Sequence, residues 1–453
     1  MHIGFDYGTS NCAVALMDQG RVRRLPLEGG DSYLPSTLFA PHREAIADLL
    51  HGLLPASQQA TFAQARQLAI AKGRRLRPQL DDEGLEYELL VGRAATARYL
   101  EAPEEGYYLK SPKSFLGATG LSASQLDLFC DLVSAMMATI KTRAETALGA
   151  EIRQAVIGQP VNFQGLGGEE SNRQAREILQ RAARLAGFAE VSFQFEPVAA
   201  GLEYEASLSS EQRVLVLDIG GGTTDCSLLR MGPDRAGLTD RSADLLGHTG
   251  ERIGGNDFDI RLAVNGLMGL CGMASQNQRG LPMPAPLYWD AMSINDVQAL
   301  GRFHAPETGR LLQQLRREAR EPALLDRLIR VREEKLSHQL VWQSEQAKIG
   351  LAQAEQVQQL IALERPPLAV EFSRHQLAQV SQPLLEKIGL LADEAMKQAG
   401  CRPDALFVTG GSAHSPVIRA WLQQRYPDLP LVEGDHFGSV IAGLARWAER
   451  CYG

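Results

Sequence analysis

The sequence predicts an α/β protein made from a duplicated unit: two lobes facing each other across a cleft, each with a smaller peripheral subdomain. Three observations lead there. "HIGFDYGTSN" (2–11) and "VLVLDIGGGTTD" (214–225) share one plan, an apolar strand, an Asp-x-Gly and then hydroxyl-bearing residues. Asp6 and Asp218 lie close to half a chain length apart, the spacing a duplication leaves. In "DALFVTGGSAHSP" a third buried strand, Ala405 to Thr409, runs into Gly410-Gly411-Ser412. Amphipathic helices alternate with these strands, which is the pattern of α/β layers.

The remaining elements follow in chain order. In "SQLDLFCDLVSAMMATIK" the residues Leu126, Phe129, Leu132, Val133, Met136, Met137 and Ile140 recur at three- and four-residue steps and predict a helix. "QAVIGQPVNF" reads as a strand broken by Pro160. A further helix is expected from Ser171, as N-cap, to Gly187, and another from Ser373 to Gly400, bent or split at Pro383. Residues of about 40–90 and 265–345 lack strand-glycine punctuation and read as the peripheral lobes. The second contains "LRREAREPALLDRLIRVREEK", whose interspersed charges read as a solvated helix face, and the Pro-interrupted loop "RGLPMPAPLYW".

Bulk properties exclude several classes. A chain of 453 residues is too long for one core. With 44% apolar and 22% charged residues it has a globular composition, and a net charge of -8 argues against nucleic acid as a partner. No apolar run approaches the roughly 18 residues that span a bilayer, so no membrane role is expected. "MHIGFDYGTS" has no basic region followed by an apolar stretch, and the six cysteines are scattered without a CxxC pair. Both features point to the cytosol.

Glycine, hydroxyl and acid together suit a phosphate chain. Backbone N–H groups bind phosphate only where the main chain can come close, and Gly220, Gly221 and Gly222 leave it bare. Thr223 and Thr224 add hydroxyl donors, and Gly8, Thr9, Ser10 and Asn11 form a matching jaw. A gripped triphosphate requires a cation. Magnesium keeps most of its waters and needs one or two carboxylates nearby, which Asp6 and Asp218 could supply through water, with Asp225 as a third candidate. No GxxxxGK[ST] is present, nor a GxGxxG after a first strand.

"GFDYGTSN", "VLVLDIGGGTTD" and "VTGGSAHSP" resemble the two phosphate motifs and the adenosine motif of the actin-like ATPase superfamily. "LPSTLFA", "VGRAATARYL", "KSFLG", "QAVIGQPVNF", "FEPVAAGLEYE", "RIGGNDFD" and "SEQAKIGL" make the chain most similar to the nucleotide-binding domain of DnaK-type heat shock protein 70 chaperones, closest to the YegD-like bacterial group. The resemblance implies a ribonuclease H-like fold with core subdomains at 1–38 with 120–200 and at 201–250 with 350–453. The peripheral subdomains would be 39–119 and 251–349, the latter enlarged.

It also implies roles, with ATP or ADP and Mg2+ as ligands. Gly8 to Asn11 match one phosphate turn, and Gly221, Gly222 and Thr223 the other. Lys113 matches the lysine that positions the attacking water, with Lys110 its rival. Glu196 matches a glutamate that organises metal and water, and Pro160 a hinge proline. Glu345 and Lys348 match ribose and adenine contacts, with Gly410, Gly411 and Ser412 opposite. Catalysis would fall to Lys113, Glu196, Asp218 and Thr223. Two positions depart from the pattern: Ile349 and His414 stand where arginines usually hold the base. The resemblance implies protein clients or a co-chaperone as partners, and the enlarged lobe is where one would dock. Since the sequence stops where such a nucleotide domain would finish, the expectation is a chaperone-like ATPase without the peptide-binding β-sandwich. An actin-like filament protein and a small-molecule kinase are the alternatives.

Overall fold

The computed structural model describes residues 1–118, 120–163, 168–235, 237–238, 241–433 and 438–453. Two sheets repeat one topology. In the first, His2–Tyr7 lies between Asn11–Asp18, antiparallel, and Gln154–Gln159, parallel; Arg21–Arg24 and Glu190–Phe195 extend the two sides. In the second, Gln212–Ile219 lies between Thr224–Met231, antiparallel, and Ala405–Thr409, parallel; Leu245–Glu251 and Leu431–Glu433 extend it. The strands that carry Asp6 and Asp218 therefore hold the same central place in both sheets. The mixed α/β architecture, two lobes each with a central sheet and surrounding helices, is that of a duplicated actin-like ATPase fold.

Central strands are buried on both faces, which explains their unbroken apolar runs. Ile3, Phe5, Val214, Leu215, Val216 and Leu217 are fully enclosed. The lobes meet through two helices, Glu196–Glu205 and Ser439–Tyr452. Gly443 allows their approach, since a Cβ there would stand 1.8 Å from the Ala199 carbonyl oxygen.

The helix predicted around Phe129 spans Ala123–Leu148. Ser122 and Gln125 close a capping box, and Gly149 ends it in the left-handed conformation. By composition alone it is long and apolar enough to cross a membrane, contrary to the expectation that no such segment exists; its residues Leu132, Val133, Met136 and Met137 are buried in the first lobe. One helix expectation needs correction. The helix Gly168–Leu185 begins before Ser171, whose hydroxyl donates to the Gly117 carbonyl instead of capping. Arg374–Ala399 is capped by Ser373 as expected and is not split at Pro383, which lies inside it.

The first peripheral region holds a small sheet, Thr37–Ala40 between Leu90–Val91 and Tyr107–Lys110, with the helix Arg93–Glu101. The second is helical, closed by the hairpin Gln356–Ile361 and Leu368–Ser373, around a core including Tyr288, Phe303 and Phe372. Its charged run is more than a solvated face. Arg332 donates to the carbonyls of Phe303, His304 and Ala305 at 3.1, 2.8 and 3.0 Å, closing the end of the helix Val297–His304.

Candidate functional site

A cavity of about 180 Å3 lies between the lobes at the ends of the two central strands. Asp6, Gly8, Thr9, Ser10 and Asn11 line it from the first lobe, and Asp218, Gly220, Gly221 and Thr223 from the second. Glu196, Glu345, Lys348, Gly410, Gly411 and Ser412 also line it, whereas Lys113, Gly222 and Asp225 of the expected set do not. Fifteen residues from five sequence segments thus share one wall system. Tyr33, Gly255, Ile349 and Val440 line it too.

The two turns touch. A Cβ on Gly221 would sit 1.9 Å from Ser10 Oγ, and one on Gly222 2.5 Å from Thr9 Cγ2. These glycines are thus required by the approach of one turn to the other. Gly222 backs Thr9 and does not line the cavity. The second turn is held by Gly220 N–H donating to the Thr223 carbonyl at 2.9 Å. Gly255 and Asn256 N–H donate to the Gly220 and Gly221 carbonyls at 2.9 and 2.8 Å. The first turn is braced by Ser36, whose hydroxyl donates to the Gly8 carbonyl at 2.6 Å. Thr224 offers no donor to the cavity: it is buried and donates to the Ile253 carbonyl at 2.7 Å.

Behind the turns sits a concentration of buried acid. Asp6 is pushed up to about 7, by burial first and Glu196 second, against the pull of Lys113. Asp225 is pushed up to about 8 by burial and Glu196. Asp218 is raised well above the carboxylate range by burial, then by Glu196, Asp225 and Asp6. Lys113, 3% exposed, pairs with Glu196. Burial pulls its ammonium down, but Glu196 and Asp6 hold it above its ordinary value. Lys113 thus stands behind the cavity, not in its lining. Asp225 also stands back, directly opposite Asp218 on the paired strand and accepting from Val161 N–H at 2.7 Å. That bond joins the lobes beside Pro160, which follows the strand Gln154–Gln159.

Among the described residues no group of three or more His, Cys, Asp and Glu side chains is arranged to hold a metal by direct ligation. The donor set fits magnesium: two carboxylates face the cavity, Asp218 buried and Asp6 half-buried.

Lys110, the rival of Lys113, pairs instead with Glu345 at 2.5 Å, tying the first peripheral region to the helix Ser337–Gly350. Lys348 lies 2.7 Å from Asp259, and its ammonium donates to the Gly255 carbonyl at 3.1 Å. Asp259 is pushed up to about 6 by burial, against Lys348. These ion pairs escaped the sequence reading because their partners are distant in the chain. "RIGGNDFD", noted only as part of a resemblance, was the available signal for Gly255 and Asp259. Ile349, 55% exposed, stands at the rim shared with a larger cavity of about 610 Å3, which His414 also lines.

Fold and site define the class, and sequence comparison agrees with it. A family profile described as Hsp70 protein matches residues 119–267. The chaperone protein HscA homolog of Azotobacter vinelandii is 24% identical over 460 aligned residues, covering 100% of this chain and 58% of the relative. The HscA homolog of Methylobacillus flagellatus is 30% identical, covering 57% of this chain and 36% of the relative. The chaperone protein dnaK1 of Prochlorococcus marinus is 29% identical, covering 57% and 34%. The chain spans from about a third to somewhat over half the length of these relatives. It carries an actin-like ATPase domain related to the Hsp70, HscA and DnaK chaperones. Nothing among these relatives singles out the YegD-like group.

Proposed function

We propose that the protein binds ATP with magnesium in the interlobe cleft and hydrolyses it slowly, as the nucleotide-binding unit of a chaperone-like protein. The observation that carries this reading is the direct meeting of the two aspartate turns over one cavity. In the proposed mechanism the two turns present backbone N–H groups and the Thr9, Ser10 and Thr223 hydroxyls to the phosphates. Asp6 and Asp218 would hold magnesium through its waters, and the cation would supply neutralisation of phosphate charge. Lys113, kept charged by Glu196, lies behind the turns with its ammonium near the acids and supports the positive potential that a departing phosphate needs. Glu345 and Lys348 receive the ribose and base, with Gly410 to Ser412 opposite. Nucleotide would bias closure of the lobes only by its differential affinity for the closed arrangement. Protein clients or a co-chaperone, and a cytosolic location, belong to the same proposal, as do the subdomain limits 1–38 with 120–200, 39–119, 201–250 with 350–453, and 251–349.

Calorimetry with ATP and ADP, with and without magnesium, followed by a phosphate-release assay, tests this. Saturable, magnesium-enhanced binding that weakens in Asp218→Asn is expected. Equal affinity with and without magnesium in the unaltered protein would remove the metal reading, and no binding at all would remove the function.

A further inference from the structure

Another cavity, of about 410 Å3, opens beside the phosphate turns and shares Ser10, Asn11, Glu345 and Ile349 with them. That volume lies within the roughly 300–1,000 Å3 typical of small-molecule sites. Its walls come from opposite sides of the cleft. Tyr99 and Tyr108 belong to the helix Arg93–Glu101 and the strand Tyr107–Lys110. His338 and Trp342 face them from the helix Ser337–Gly350, where their four-residue spacing puts both on one side.

The chemistry of this cavity differs from that of the phosphate cleft. Its two cations are already matched: Lys110 by Glu345 at 2.5 Å, and Arg93 by Glu28 and Asp31 at 3.3 and 2.5 Å. A second anion is therefore a poor fit. What remains is aromatic surface and, among the buried side-chain polar atoms of the described residues that line it, one without a hydrogen-bond partner. Tyr99 and Tyr108 stack with centroids 4.4 Å apart, and His338 stands edge-on to both, at 5.8 and 5.3 Å. The His338 Nδ1 is buried and has no hydrogen-bond partner. Burial, then Lys110 and His304, pushes this imidazole down to about 3, so it is neutral near pH 7 and its Nδ1 either donates or accepts according to tautomer. A purine carries donors and acceptors on the same edge and satisfies either tautomer, while its faces suit the rings.

We propose that this cavity is a second ligand site, taking a neutral purine-type heteroaromatic against Trp342 with a hydrogen bond to His338, while a nucleotide occupies the neighbouring cleft. The site rests on its own walls and not on ATP hydrolysis.

The test is calorimetric titration of adenine into the full chain, first alone and then with saturating Mg-ADP. Saturable one-to-one binding is expected in both conditions. Trp342→Ala should weaken it fivefold or more, the effect of losing one base–aromatic stack. Trp342→Phe, which keeps a ring, should stay within threefold of the unaltered protein. His338→Phe, which keeps the ring but removes the unmatched nitrogen, should weaken adenine several-fold with ADP affinity unchanged. Three results would each overturn the proposal: no saturable binding up to low millimolar adenine, adenine binding indifferent to Trp342→Ala and His338→Phe, or displacement of adenine by ADP. The last would mean that adenine sits in the nucleotide's own base pocket. If ADP itself fails to bind, the nucleotide reading falls, while the adenine titrations without ADP still decide this one.

Discussion

Replacing Lys113 with methionine, similar in length but uncharged, separates stability from turnover. Lys113 and Glu196 form a buried pair beside Asp6, Asp218 and Asp225. A charge pair near 4 Å is worth about 4 kcal/mol at an effective dielectric of about 20. Removing one partner of a buried pair costs about 3–5 kcal/mol, because the other charge is stranded. Lys113→Met should therefore lose about 3 kcal/mol of stability, and Glu196→Gln in the same chain should recover most of it by removing the stranded carboxylate. Turnover should behave differently: at least 100-fold lower in Lys113→Met, and not restored in the double variant, with ATP affinity within about threefold throughout. Urea unfolding and single-turnover phosphate release, run on all four proteins of the cycle, measure both quantities. A double variant no more stable than Lys113→Met would refute the pairing argument, and a Lys113→Met protein that hydrolyses ATP at the normal rate would refute the catalytic one.

Other perturbations probe the remaining contacts. Gly221→Ala forces a Cβ to within 1.9 Å of Ser10 Oγ, so the two turns must separate. Nucleotide affinity measured by calorimetry should fall at least tenfold, and Ser10→Gly should restore part of it; unchanged affinity in Gly221→Ala would show that the contact is dispensable. Ile349→Arg places a guanidinium at the rim between the cavities and should tighten ATP by about two- to thirtyfold, the range of a cation–π contact of about 0.5–2 kcal/mol. A weakened or unchanged ATP affinity would place the base elsewhere. His338 has a folded-state pKa of about 3 against 6.5 for the free side chain, so the unfolded chain binds the extra proton between these values. Stability is then full above about 6.5 and declines as pH falls toward 3, by at most about 2 kcal/mol between pH 7 and 5. His338→Phe should show a correspondingly smaller shift of its urea midpoint over that range, and an identical shift would refute the burial argument.

Much of the fold was legible because its signals are local. The two Asp-x-Gly strand ends, the Ala405–Thr409 strand and the helix around Phe129 could be read from spacing and residue type alone, though not that helix's Ser122 cap. The helix boundary at Ser171 was misread because serine caps and helical serines look alike until the partner, here the Gly117 carbonyl, is known. Pro383 does not split its helix, because a proline removes one backbone donor without dictating whether neighbours keep the helix going.

The sequence by itself determined which residues could serve a phosphate site: glycines, hydroxyls and acids at the ends of buried strands. Only the tertiary structure decided how they are used. It set Gly221 against Ser10, turned Thr224 away toward Ile253, and matched Lys113 with Glu196 and Lys110 with Glu345. The physical reason is that strand, cap and turn preferences depend on neighbours in the chain. Charge pairing and steric contact depend on distances in space, which arise only when the two lobes close on one another.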